Sequence, residues 1–293
     1  MSATVSLGGR LVGDGQPCWV LAEIGINHNG DLDLALGLID AAAAAGCDAV
    51  KFQKRTPELC VPQSERSRIR DTPWGQMTYM EYRERVEFGQ AEFERIIERC
   101  AERGIAWLAS CWDVLSVDFI AALDPPAFKI ASASLTDDEL LRRTRATGKP
   151  LILSTGMSSL EEVDHAVEVL GSHDLVLMHC TSTYPSKPAE LNLRAIHTLR
   201  ERYGVPVGYS GHEVGLSTTV AAVALGACAV ERHITLDRAM WGSDQSASVE
   251  PEGLARLVKY IRVTEAALGD GVKRVYESEQ PLMARLRRVV PLP

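Results

Sequence analysis

Along the chain, short runs rich in branched and aromatic apolar residues alternate eight times with longer stretches whose apolar positions recur every three to four residues. The runs at 19–26, 48–53, 105–111, 127–132, 150–156, 174–181, 206–211 and 229–237 predict strands. The stretches at 32–45, 91–103, 115–123, 137–147, 160–170, 192–203, 216–226 and 251–268 predict helices. Gly46, Gly104, Gly148, Gly171 and Gly204 stand at helix ends just ahead of the next strand, where a left-handed cap favours glycine. Ser158-Ser-Leu-Glu-Glu162 gives the opposite signal, a hydroxyl cap with acidic residues in the first turn. Parallel neighbours need a crossover connection, and a helix after every strand supplies it. Eight such units predict an α/β protein of the closed (β/α)8 TIM-barrel type. A doubly wound dinucleotide fold competes with it, but the first strand runs into Glu23-Ile-Gly-Ile-Asn-His-Asn-Gly30 rather than G-x-G-x-x-G.

The pattern divides the chain into residues 1–16, 17–270 and 271–293. Residues 1–16, with Gly8-Gly9 and Gly13-Asp-Gly15, predict a small hairpin ahead of the barrel. The last stretch is too short for an independent domain. Residues 54–90 form a long polar insertion after the second strand, bearing Trp74, Tyr79 and Tyr82; connections of this length often act as lids. Composition narrows the partners. A formal charge of −8 argues against nucleic acid while leaving room for a local cationic pocket. No apolar run reaches the roughly 18 residues that a membrane span needs, and the start lacks a secretory signal. The 7 cysteines are scattered without a C-x-x-C pair, so the expectation is a reduced, cytoplasmic protein with no disulfide framework.

In such a barrel the chemistry gathers where strands end, so those positions can be read in turn. The first strand carries Glu23, and the second ends with Lys51 and Gln53 on one face. The third ends at Ser110. The fourth carries Lys129 and Ser132, the fifth Ser154, and the sixth leads into His179-Cys-Thr-Ser-Thr-Tyr184. The last two give Ser210 with His212, and Glu231 with His233. Buried parallel strands should be almost wholly apolar, and polar ends are costly unless they serve a ligand. A lysine aimed into a barrel suits an anion-binding or Schiff-base role, and two of them among serines suit a small phosphate-bearing anion. Any one serine could simply satisfy turn backbone; the set is more informative than its members. A single histidine here would be an ordinary packed imidazole. His212 and His233 on adjacent strands, with Glu231 and Asp244 near in sequence, instead make a partial divalent-metal site that Mn²⁺ or Mg²⁺ fits as well as Zn²⁺. His28, His165, His173 and His197 receive no such role.

These same segments resemble the sialic acid (N-acetylneuraminate) synthase family. The resemblance rests on Ala22-Glu-Ile-Gly-Ile-Asn-His-Asn-Gly-Asp31, Asp48-Ala-Val-Lys-Phe-Gln53, Phe128-Lys-Ile-Ala-Ser132 and Leu153-Ser-Thr-Gly-Met157. It continues through Cys180-Thr-Ser-Thr-Tyr-Pro185, Gly208-Tyr-Ser-Gly-His212, Glu231-Arg-His-Ile-Thr-Leu-Asp237 and Gly242-Ser-Asp244, in order over the barrel. It implies condensation of phosphoenolpyruvate with the open-chain aldehyde of an N-acetylmannosamine-like sugar, giving a 2-keto-3-deoxy sugar acid and phosphate. On that resemblance Lys51, Ser110, Lys129, Ser132, Ser154, Ser182 and Ser210 would hold phosphoenolpyruvate, and His212 and His233 the divalent metal. Glu23, Gln53, Tyr184, Glu231 and Asp244 would face the sugar or the proton traffic, with Glu23 orienting the water that captures C2. Glu23, Lys51, Lys129 and Asp244 are the expected catalytic residues.

Two positions depart from the family pattern: Ser182 stands where many members have Asn, and Gln245 where His is frequent. The family usually continues into a small antifreeze-like cap domain; Glu277-Ser-Glu-Gln-Pro281 and Arg287-Arg288 resemble the start of its linker. The expectation is a barrel lacking that cap, with a separate cap protein or the 54–90 insertion in its place, and with homodimerisation left open. Two other readings stand beside the synthase: a catalytically silent phosphoenolpyruvate-binding sensor or scaffold, and a Schiff-base pyruvate aldolase.

Overall fold

A computed structural model describes residues 3–289. A hairpin of β1 (Thr4–Leu7) and β2 (Arg10–Gly13) precedes the barrel, as the paired glycines predict. Then follow β3 (Trp19–Gly25), α1 (Leu32–Ala44) and β4 (Ala49–Lys54). The insertion comes next: a short α2 (Pro57–Cys60), a two-stranded hairpin of β5 (Ile69–Thr72) and β6 (Gly75–Thr78), and α3 (Tyr79–Val86). The alternation resumes with α4 (Gln90–Arg103), β7 (Ala106–Cys111), α5 (Val114–Ala122), β8 (Phe128–Ile130), α6 (Asp138–Ala146), β9 (Leu151–Ser154) and α7 (Leu160–Leu170). It ends with β10 (Leu175–Cys180), α8 (Ala195–Tyr203), β11 (Val207–Gly211), α9 (Ser217–Ala224), β12 (Ala229–His233), α10 (Pro251–Leu268) and α11 (Gln280–Leu286).

Strands β3, β4, β7, β8, β9, β10, β11 and β12 close into one parallel barrel, in the order the sequence predicts. Closure between β12 and β3 sets His233 beside Glu23 and Glu231 beside Leu21. Alternation along each strand sorts side chains into two cores. Val20, Ala22, Val50, Phe52, Phe128, Leu153 and Val230 face the helices and belong to the larger cluster. Trp19, Leu21, Ala49, Leu108, Ile152, Val176 and Ala229 point inward, where Val5, Leu7 and Val12 of the first hairpin plug the barrel's N-terminal end. The inward row turns polar toward the strand C-termini: Leu21 gives way to Glu23, Ala49 to Lys51, Leu108 to Ser110, Ile152 to Ser154 and Ala229 to Glu231. An apolar floor and a polar ceiling thus arise from one residue-by-residue period.

Leu7 is fully buried in the plug. Leu7→Ala is expected to cost about 2–5 kcal/mol in urea unfolding; a loss under about 1 kcal/mol would show that the hairpin is not part of the cooperative unit.

Gly104 and Gly204 cap α4 and α8 at φ 64° and 63°, the left-handed conformation their positions in the sequence predict. Three strands stop at least two residues earlier than expected, β8 at Ile130, β9 at Ser154 and β12 at His233; Ser132 opens a 3-10 turn, so this serine reaches the barrel mouth from a turn. All seven cysteines are free. Among the described residues no helix is long and apolar enough to cross a membrane.

Candidate active site

A cavity of about 190 Å³ opens at the C-terminal ends of the strands. Thirteen of the fourteen residues nominated from the sequence line it; Asp244 stands just outside, its Oδ2 4.0 Å from His233 Nδ1.

A row of paired groups runs across the floor. Gln53 Nε2 donates to Glu23 Oε1 at 3.0 Å. Lys51 Nζ lies 3.1 Å from Glu23 Oε2 and 3.4 Å from Glu231 Oε1. Ser210 Oγ donates to Glu231 Oε1 at 3.2 Å, and Lys129 Nζ sits 3.8 Å from Glu231 Oε2 while donating to Ser154 Oγ at 2.7 Å. The expected pair of cations is therefore interleaved with a pair of carboxylates.

The two carboxylates are pushed in opposite directions. Burial raises the Glu23 carboxyl above the ordinary range; Lys51 opposes this and Glu231 adds to it. Burial works against the charge of Glu231 too, but Lys129 and Lys51 hold it down to about 2. Burial would lower Lys51, yet Glu23 and Glu231 raise it on balance; Lys129 is lowered by burial. Pairs of titratable groups driven apart in this way mark acid–base work.

The two histidines meet beside this row, ring centroids 5.4 Å apart, with the Tyr184 ring 4.2 Å from His212 and 5.7 Å from His233. His212 Nδ1 is 3.0 Å from Thr181 O and 3.7 Å from Cys180 Sγ; burial would lower this imidazole, but Cys180 and the Thr181 carbonyl raise it on balance. Burial pushes His233 down to about 3, leaving a neutral imidazole whose buried Nδ1 has no hydrogen bond. Among the described residues no three or more His, Cys, Asp or Glu side chains converge as a metal cage. What is present fits a cation held by two imidazoles, His233 already neutral and His212 giving up its Nε2 proton to the incoming ion, and completed by water or substrate oxygens.

Behind the histidines, Glu213 and Arg232 form a buried clamp. The Glu213 carboxylate accepts from Tyr209, Thr218 and Thr219 at 2.7–2.8 Å and from Arg232 Nη1 at 3.2 Å. Arg232 Nη2 also donates to Glu213 O at 2.6 Å, tying β12 to the segment that carries His212.

The NeuB family profile matches residues 38–273, most of the chain. The chain belongs to the NeuB family. This bears out the resemblance to the sialic acid synthases. The NeuB chain is 38% identical to the human N-acetylneuraminate-9-phosphate synthase over 96% of its own length and 80% of the relative's. It is 36% identical to an N,N'-diacetyllegionaminic acid synthase of Legionella pneumophila, over 96% of this chain and 81% of that one. The solved sialic acid synthetase of Leptospira borgpetersenii, in complex with citrate, superposes with a TM-score of 0.85 at 34% identity, covering 99% of both chains.

Other wall residues of this NeuB protein were not singled out from the sequence. Trp112, Met157 and Cys180 line the cavity, and the Gly156 N–H donates to Ser132 Oγ at 3.0 Å. A Cβ at Gly156 would collide with Ser182 Oγ and crowd Ser132 Oγ, so only glycine admits this close approach. The signal for Gly156 was its place two residues past Ser154; Glu213 and Arg232 were signalled only as charged neighbours of the histidines. The insertion packs onto the loop after β12, with the Tyr82 and Trp74 rings 5.3 and 5.9 Å from Trp241.

Proposed function

We propose that this NeuB-family enzyme is a synthase that joins C3 of phosphoenolpyruvate to the aldehyde carbon of an N-acetylated amino sugar, releasing phosphate and a 2-keto-3-deoxy sugar acid. The reading is supported by what three relatives are named for, the making of sialic-acid-type sugars. One observation carries it to residues: a buried base (Glu23) and a buried permanent anion (Glu231) share one lysine, beside two imidazoles whose ring centroids are 5.4 Å apart.

In this reading Lys129, Ser154, Ser132 and Ser210 bind the phosphate and carboxylate of phosphoenolpyruvate, with Lys51, Ser110 and Ser182 along the same wall. Glu231 stays ionised and fixes both lysine ammoniums. A divalent ion such as Mn²⁺ or Mg²⁺, held by His212 and His233, would supply Lewis-acid polarisation of the acceptor's carbonyl oxygen. The enol carbon attacks the aldehyde carbon, the carbonyl π pair moves to its oxygen, which takes a proton to become the new hydroxyl, and the electron deficiency left at C2 is captured by water. Glu23 orients that water and takes its proton. The tetrahedral centre then breaks the bond from C2 to the phosphate-bearing oxygen; that electron pair leaves with phosphate, which also takes the proton of the C2 hydroxyl as the ketone forms. Gln53, Tyr184 and Asp244 bound the side from which the sugar enters. The cavity is smaller than the ~300–1,000 Å³ of sites that enclose drug-sized ligands, so the sugar's far end projects past its rim, under the insertion.

Lys51 is held protonated by two carboxylates, the reverse of what a Schiff-base amine needs. The test is phosphate release from phosphoenolpyruvate with Mn²⁺, across a panel of aldoses and N-acetylated amino sugars with and without a phosphate. Release that requires one sugar and the metal supports the synthase; borohydride-dependent covalent labelling by pyruvate would support the aldolase instead.

A further inference from the structure

Arg55 follows β4, is 9% exposed, and does not line the cavity. Its guanidinium stacks on Trp112, 3.9 Å from the ring centroid, and its backbone N–H donates to Glu87 Oε2 at 3.0 Å. Its Nη2 donates to Gln53 Oε1 at 2.5 Å. The other end of that amide, Nε2, donates to Glu23 Oε1 at 3.0 Å.

A primary amide has nearly the same shape either way up and differs only in which end accepts. Here one neighbour can only donate and the other is a carboxylate. Turning the amide over would face NH2 to a guanidinium and carbonyl oxygen to carboxylate, exchanging two charge-assisted hydrogen bonds for two repulsions. We propose that Arg55 is a positioning residue that locks the Gln53 amide with its NH2 end toward Glu23 and the cavity. This rests on the synthase reading for its consequence in catalysis, though not for the geometry. With Oε1 engaged by Arg55 and one N–H by Glu23, the amide has one N–H left for a ligand. The acceptor therefore meets the NH2 end of Gln53 with an oxygen that accepts a hydrogen bond, a hydroxyl or acyl oxygen, because the accepting end is turned toward Arg55. Stacking on Trp112, together with the Glu87 carboxylate, whose Oε1 lies 4.0 Å from Arg55 Nη1, holds the guanidinium for this task.

The test uses Arg55→Met, which keeps an unbranched side chain beside Trp112 and removes the donors, with Arg55→Lys as the conservative variant. Arg55→Met should lower kcat/KM for the acceptor by about 10- to 100-fold, the worth of a charge-assisted hydrogen bond, with the phosphoenolpyruvate KM within about twofold. Arg55→Lys should recover most of that loss. The amide is also read without turnover: the Gln53 side-chain ¹⁵N–¹H pair, assigned by its loss in Gln53→Ala, should exchange slowly in the ligand-free wild type and fast in Arg55→Met. Gln53→Met should match Arg55→Met, and the double variant should lose no more than Gln53→Met alone. Unchanged amide signals, multiplying losses, or an equal rise in both KM values would overturn the proposal. If Arg55→Met does not fold, Arg55→Leu takes its place in the same cycle with Gln53→Met: equal losses support the proposal and multiplying losses overturn it. Wild-type protein that releases no phosphate with any acceptor sinks the synthase reading, while the amide signals still decide the role of Arg55.

Discussion

Glu23→Gln should lower kcat by about 10²- to 10⁴-fold, the range for losing a positioned general base, with both KM values changed only a few-fold. The substitution keeps the shape of the side chain and an acceptor for Gln53, so folding should be retained. The pH dependence follows from the same group. Glu23 must be deprotonated to take a proton from water, and burial, with Glu231 adding and Lys51 opposing, raises its pKa. Wild-type kcat/KM should therefore fall on acidification at a pH above the ordinary glutamate range near 4.5, and the residual activity of Glu23→Gln should lack that limb. A variant that keeps both the rate and the acid limb would remove Glu23 from the chemistry.

The second large effect is expected at the histidines. In the His212→Ala/His233→Ala double variant, Mn²⁺ binding measured by titration calorimetry or electron paramagnetic resonance should be lost. The acceptor's kcat/KM should fall by about 10³-fold or more, since Lewis-acid polarisation of a carbonyl is worth several kcal/mol. Wild type stripped by a chelator should lose activity likewise and regain it with Mn²⁺ or Mg²⁺. Two imidazoles with ring centroids 5.4 Å apart would supply the ligand set, and the Glu213–Arg232 clamp keeps the two strand ends together. Full activity in the chelated enzyme, or an unaltered Mn²⁺ affinity in the double variant, would take the metal away from these residues.

The barrel was legible because each unit announces itself locally: a branched apolar run, an amphipathic stretch, a glycine at the turn. The site was legible because parallel strands tolerate few polar residues, and those present sit at the ends that the fold turns toward one mouth. What could not be read is what closure alone creates. Glu231 and Glu23 are far apart in sequence and meet Lys51 only because β12 pairs with β3 in a register that sets His233 opposite Glu23. The lysines therefore read as free cations when each is paired. Arg55 and Glu87 lie in a stretch without apolar periodicity, and the β5–β6 hairpin is too polar for alternation to reveal. Asp244 was nominated from its neighbourhood in sequence, but the loop after β12 holds it at the rim, with its neighbour Gln245 buried and bonded to Thr235 and Asn27.

The central claim is that phosphate leaves from C2 after water has added there, with Glu23 as base and no covalent link to lysine. Phosphoenolpyruvate carrying ¹⁸O in the bridging position tests it in one turnover assay with an active sugar. The account predicts that the label leaves in inorganic phosphate and that the 2-keto oxygen comes from water. Label retained in the keto acid would mean that the P–O bond breaks instead, and would contradict it.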